Sequence, residues 1–199
     1  MFEALNRHLF LLMNAPSHPG GLALAFSTVF AEDVIFIIPV YLLFGWLLST
    51  RDGTKKIMFA AAISGSLALL FAQAIGYIWP HPRPFMVGLG TNFLSHPADA
   101  SFPSDHVTLI AAVAFSLAYS SLTRTFGIIL MLIGVIVAWS RIYLGVHFPF
   151  DMAGAFLVGL GSAWLVAHLP KAVFDPAYAH LVRVYRKMFS GLIRRGWVC

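Results

Sequence analysis

The sequence predicts an all-α integral membrane protein, a helical bundle with about five to six transmembrane helices, and three observations predict it. Of its 199 residues, 59% are hydrophobic and only 11% charged, whereas a soluble domain carries about 25% charged residues. Apolar stretches long enough to serve as bilayer spans, roughly 17–25 residues each, recur along the chain and are closed by charged residues, prolines or glycines. No long polar region separates a further domain, so residues 1–199 read as a single membrane domain.

Residues 1–20 place Phe2, Leu5, Leu9, Phe10 and Leu12 beside Asn6, Arg7 and His8 at helical spacing, the pattern of an interfacial amphipathic helix. No short basic region precedes an apolar core and a small-residue cleavage site, so no cleaved signal peptide is expected. From Gly21 to Ser49 the chain is apolar except for Glu32 and Asp33. The first span is read as starting near Asp33, which leaves 1–31 as an interfacial or re-entrant segment; one long tilted helix over 21–49 is the competing reading. Arg51, Lys55 and Lys56 form a basic loop, and the uncharged stretch Ile57 to Trp79 is the second span. Prolines 80, 82 and 84 end it, because they remove donors and disfavour helix before them. Residues 85–102 form a loop. Later spans run from about Ser104 to Ser121, Phe126 to Trp139 and Asp151 to Leu169, with Ser140 to Phe150 as a short loop. The transmembrane core is thus 33–169, and 170–199 is a basic amphipathic tail.

Charge orients the spans. Arg51, Lys55, Lys56, Arg124 and the tail's Lys171, Arg183, Arg186, Lys187, Arg194 and Arg195 fall on one side, against Arg7, Arg83 and Arg141 on the other. The first side is therefore the cytoplasmic one, a distribution that argues for a membrane rather than nucleic acid as the partner of a +5 chain. The single cysteine, Cys199, allows neither an internal disulfide nor a Cys/His zinc spacing.

The outer loops then hold a set of groups suited to phosphate. Ser104 opens a helix after Pro103, where free N–H groups make an anion site. Arg83 and Arg141 match phosphate oxygens with paired N–H donors. His147 and Asp151 are four residues apart, so the carboxylate accepts from one imidazole nitrogen and leaves the other free to attack. Each residue also has a plainer reading taken alone: a cap, a snorkelling arginine, an interfacial histidine. Together they assign His147 as a nucleophile forming a phosphohistidine, Asp151 as its orienting partner and His106 as the general acid. Arg83, Ser104 and Arg141 bind the phosphoryl group. No carboxylate cluster suited to magnesium is evident, so no metal or other cofactor is expected.

Arg83-Pro84, Pro103-Ser104-x-His106 and Ser140-Arg141-x5-His147-x3-Asp151 resemble the three signature motifs of the type 2 phosphatidic acid phosphatases. Two positions depart from that pattern: Gly76 stands where the family has a lysine, and Asp105 where it usually has glycine. The string from Ala98 to His106, with His81-x-Arg83-Pro84-Phe85 before it, is similar to the bacitracin-resistance type of undecaprenyl-diphosphatase. The resemblance implies hydrolysis of undecaprenyl diphosphate, an isoprenoid diphosphate lipid, to undecaprenyl phosphate and inorganic phosphate at the periplasmic face of the inner membrane, with Asp105 shaping substrate choice. Alternatives are a lipid phosphatase acting on phosphatidate or phosphatidylglycerol phosphate, a lipid phosphotransferase, or a head-group transporter or scaffold. The transporter reading lacks the inverted repeats such proteins show.

Overall fold

The computed structural model describes all 199 residues, and its regular structure is entirely helical. Helix α1 (Phe2–Met13) precedes a helical run Gly21–Leu47 made of α2 (Gly21–Thr28), a π-helical turn (Val29–Asp33), a 3₁₀ turn (Val34–Phe36) and α3 (Ile37–Leu47). Then come α4 (Asp52–Ile78), α5 (Asp105–Ala118), α6 (Arg124–Tyr143), α7 (Pro149–Ala167), α8 (Lys171–Met188) and α9 (Ser190–Arg194). Four runs, Gly21–Leu47, α4, α6 and α7, are long and apolar enough to cross a membrane, and α5 is a shorter apolar helix. The protein is a multi-pass membrane bundle.

The short helix is the hub. α5 packs against α4, α6 and α7 at once, and its buried face carries Ala111, Ala112 and Ala114. Small residues let neighbouring backbones approach closely, the usual basis of helix contact where lipid removes the hydrophobic drive. A Cβ added to Gly127 of α6 would come within 2.6 Å of the Ala118 nitrogen, and one added to Gly159 of α7 within 2.7 Å of the Ala112 nitrogen. Hydropathy is distributed outward, as a bilayer requires: Leu22, Leu70, Leu132 and Leu157 face outward, while Arg141 and His147 are among the largest fully buried side chains.

Several boundaries differ from the sequence expectation. The stretch 21–31, expected as a separate interfacial piece, is continuous with the first span, and the acidic pair Glu32–Asp33 marks a change of helical pitch rather than a helix start. Lys55 and Lys56 sit on α4, not in a loop, because Asp52 already begins that helix. Ser140 and Arg141 lie in the last turn of α6. The tail forms two helices, and α8 is held to the bundle by Tyr178 and Tyr185, whose rings lie 5.8 and 5.9 Å from that of Trp46.

Candidate active site

His147 lies in the short turn between α6 and α7. Gly145 makes that turn at φ 86°, a left-handed conformation open to glycine, and a Cβ there would collide with the Thr91 carbonyl. The turn is therefore pressed against the long loop that carries Arg83. Val146 N–H donates to the Arg141 carbonyl at 3.1 Å and Phe93 N–H to the Leu144 carbonyl at 3.0 Å, joining helix end and loop.

Asp151 sits in the first turn of α7 and is 1% exposed, as is His147. Its Oδ2 lies 3.3 Å from His147 Nδ1 and accepts the Phe148 N–H at 2.7 Å. Ser101 Oγ donates to the same oxygen and stands 3.4 Å from His147 Nδ1. A carboxylate in that position selects the tautomer with its proton on Nδ1, leaving the Nε2 lone pair unprotonated. Burial holds the His147 imidazole well below its ordinary pKa, and the nearby charges of Arg141 and Arg83 push the same way. The ring is neutral at physiological pH, as a nucleophile must be.

Arg83 reaches that nucleophile directly. Its Nη1 lies 2.9 Å from His147 Nε2 and 3.1 Å from the Val146 carbonyl. Nε donates to Asp99 at 2.8 Å and Nη2 to the Ala100 carbonyl at 3.1 Å. A phosphoryl group bonded to Nε2 thus arrives beside a fixed guanidinium. Arg141 is held differently. Its Nη1 donates to the Ala31 carbonyl at 2.8 Å, inside the π-helical turn of the first span, while its buried Nε has no partner in the protein. π-Turns disturb the regular hydrogen-bond ladder and recur at functional sites.

Ser104 occupies the N-cap position of α5 but makes no side-chain capping bond. Its Oγ is instead buried without a protein partner, and its N–H approaches the Asp151 carbonyl at 3.5 Å. His106, two residues beyond Ser104, sits half-buried in the first turn of α5. Asp105 points aside: its Oδ2 accepts from Gln73 of α4 at 2.8 Å. Gly76 lies one turn further along α4, where an added Cβ would meet the Ala100 Cβ at 3.2 Å. The fold brings His147, Asp151, Arg83 and Ser104 into contact, sets Arg141 and His106 on the adjoining ends of α6 and α5, and turns Asp105 toward Gln73. No three His, Cys, Asp or Glu side chains converge as a metal site.

Four further residues support the site. Ser101 and Asp99 belong to the string that carries the resemblance, yet their bonds to Asp151 and Arg83 form only when the loop folds back, as Ser101 N–H donates to the His81 carbonyl at 2.8 Å. His96 faces His147 with ring centroids 6.2 Å apart. Burial lowers its pKa, with the Pro97 carbonyl opposing and Arg83 and Arg141 adding to the fall. Asn6 of α1 is buried and accepts the Phe150 N–H of α7 at 3.0 Å. Beside it Phe10 packs edge-on against Phe148, 5.4 Å between centroids. The N-terminal helix thus lies against the structure that presents His147.

Buried orphan donors beside a neutral histidine and a carboxylate are groups suited to binding an anion. The fold around them is shared with known proteins. The family model of the PAP2 superfamily matches residues 54–175, and the chain belongs to that superfamily. Over all 199 residues it is 37% identical to YbjG of Escherichia coli (strain K12), whose name assigns it provisionally as an undecaprenyl-diphosphatase; the match covers 100% of this chain and 99% of that one. It is 28% identical to the undecaprenyl-diphosphatase BcrC of Bacillus subtilis (strain 168), covering 96% and 97% of the two chains. The crystal structure of LpxE from Aquifex aeolicus superposes with a TM-score of 0.66 at 25% identity, covering 82% of this chain and 94% of LpxE. The Bacillus subtilis PAP2-type phosphatidylglycerolphosphate phosphatase shares the fold, with a TM-score of 0.56 over 86% of this chain and 87% of that one.

Proposed function

We propose that this protein hydrolyses undecaprenyl diphosphate to undecaprenyl phosphate and inorganic phosphate through a phosphohistidine on His147. One observation carries the chemistry: a buried His147 whose Nδ1 faces Asp151 and whose Nε2 lies 2.9 Å from Arg83. The substrate follows from the full-length relatives and the names they carry.

His147 Nε2 attacks the terminal phosphorus. The bond from that phosphorus to the bridging oxygen breaks, and His106 gives its proton to the oxygen, so undecaprenyl phosphate leaves. Asp151, held by Ser101 and the Phe148 N–H, stabilises the imidazolium character that develops. Arg83 Nη1, Arg141 Nε and Ser104 Oγ meet the three oxygens of the transferring group, where charge spreads in the transition state. Water then attacks the phosphohistidine, His106 takes its proton, the P–N bond breaks, and inorganic phosphate departs. The guanidiniums neutralise the charge, so the reaction runs without a metal.

The placement that fits this chemistry is the bacterial inner membrane, with the site facing the periplasm and the basic tail in the cytoplasm. Phosphate release by the detergent-purified protein tests the reading, with excess EDTA and with phosphatidate in parallel. EDTA-resistant release that prefers the diphosphate is expected. Release from phosphatidate alone replaces the diphosphatase assignment with a general lipid phosphatase, and transfer to an added lipid alcohol in place of water makes it a phosphotransferase.

A further inference from the structure

The opposite end of the bundle from His147 holds a cavity of about 480 Å³. It is framed by the end of α3, the start of α4 and the tail helices α8 and α9. Lys55, Arg186 and Arg194 line it together with Trp46, Tyr178 and Tyr185. The Lys55 ammonium stands 5.9 Å from the centre of the Trp46 ring and 5.3 Å from that of Tyr185, which fixes it between aromatic faces.

Charge in this cavity is unbalanced. Its one side-chain carboxylate, Asp52, already accepts from Tyr178 Oη at 2.5 Å and lies 3.5 Å from Lys56. Arg186 and Arg194 enter no ion pair. Lys55 Nζ and Tyr185 Oη already donate to the main-chain oxygen of Cys199, the latter at 2.8 Å, so Arg186 and Arg194 are the cations left to meet an incoming anion. The depth fits as well. The cavity lies where the first two spans meet, and Val182 and Ile193 line it beside the cations, so apolar surface borders a cationic, aromatic recess. Acyl chains would lie along the former and a phosphate would enter the latter.

We propose that this recess binds the phosphate group of an anionic phospholipid from the leaflet opposite the active site. The Arg186 and Arg194 guanidiniums take the phosphate oxygens, the Lys55 ammonium adds its positive field, and Trp46 and Tyr185 wall the headgroup. The site ties α8 and α9 to the first two spans through a lipid. It does not depend on the chemistry assigned to His147, and a lipid absent from the membrane would loosen the tail without altering the catalytic residues.

The test titrates phosphatidylglycerol, phosphatidylcholine or inorganic phosphate into the delipidated full chain in neutral detergent. Bound lipid is read by native mass spectrometry and the unfolding temperature. The Lys55→Gln, Arg186→Gln, Arg194→Gln variant is compared with an equal-charge control, Lys171→Gln, Lys187→Gln, Arg195→Gln, whose residues do not line the cavity. Phosphatidylglycerol is expected to bind and stabilise, phosphatidylcholine not. Each cation removed from the cavity should weaken binding by about fivefold, while the control keeps wild-type affinity. Arg186→Gln alone, with phosphate release from undecaprenyl diphosphate intact, guards against a misfolded triple variant. Equal loss in control and cavity variants would mean unspecific surface charge and overturn the proposal. Binding of inorganic phosphate as tight as that of the lipid would overturn the lipid assignment.

Discussion

Replacing Asp151 by asparagine changes one oxygen to an amide and should reverse the tautomer of His147. Oδ2 of Asp151 now faces His147 Nδ1 at 3.3 Å, Ser101 Oγ and the Phe148 N–H at 2.7 Å, all as donors. In Asp151→Asn the NH₂ group that takes the Oδ2 position faces Nδ1 as a donor, and the Phe148 N–H loses its acceptor. His147 must then accept at Nδ1 and carry its proton on Nε2, where it meets the N–H of Arg83 at 2.9 Å. The nucleophilic lone pair is lost and two donors oppose each other. A wrong-tautomer substitution of this kind lowers kcat by about 10⁴ in a comparable histidine–carboxylate site. The phosphoryl-binding groups are untouched, so KM should barely move. The fold should lose only about 1–3 kcal/mol, the cost of one impaired buried bond. Steady-state phosphate release from undecaprenyl diphosphate, beside a thermal unfolding trace, reads both quantities. A variant that keeps more than about a tenth of wild-type kcat would refute the tautomer argument.

Arg141→Lys keeps the charge but not the paired N–H geometry, so KM should rise by about tenfold or more while kcat changes less; an unchanged KM would place Arg141 outside the phosphate cradle. Asn6→Leu strips the Phe150 N–H of its acceptor and should lower the unfolding free energy by about 1–3 kcal/mol and slow kcat. Asn6→Asp, which retains an acceptor, should restore kcat, and equal damage by both would contradict the positioning role. His147 is buried neutral, with its pKa held well below the ordinary value. Unfolded His147 gains a proton below pH of about 6.5 that the folded chain does not bind, so its contribution to stability is complete above that pH. It fades by up to about 1.4 kcal/mol per pH unit as pH falls further. Unfolding temperatures measured from pH 7.5 to 5 should show this slope in the wild type and a shallower one in His147→Gln.

The sequence was most legible where the chemistry is local. His147 and Asp151 are four residues apart, so a helix start at Pro149 brings them into contact with no further information. Their supports are remote. Ser101 bonds a residue 50 positions later, Arg141 finds its carbonyl 110 positions earlier in the first span, and Asn6 accepts an N–H 144 positions away. Spacing along the chain carries none of that. Hydropathy likewise registers Glu32 and Asp33 as a polar interruption, but a helix end and a π-turn interrupt an apolar run alike. At Ser104 the helix boundary was legible and the side chain was not, because a hydroxyl at an N-cap can turn inward when the site beside it is polar.

The covalent intermediate is the claim on which the mechanism stands, and trapping it tests that claim most directly. The purified protein is mixed with undecaprenyl diphosphate labelled in its terminal phosphate, quenched in base within the first turnover and digested for mass spectrometry. A base-stable, acid-labile phosphoryl group on His147, absent from His147→Ala, is the predicted result. Label on another residue, or full turnover in His147→Ala, would contradict it.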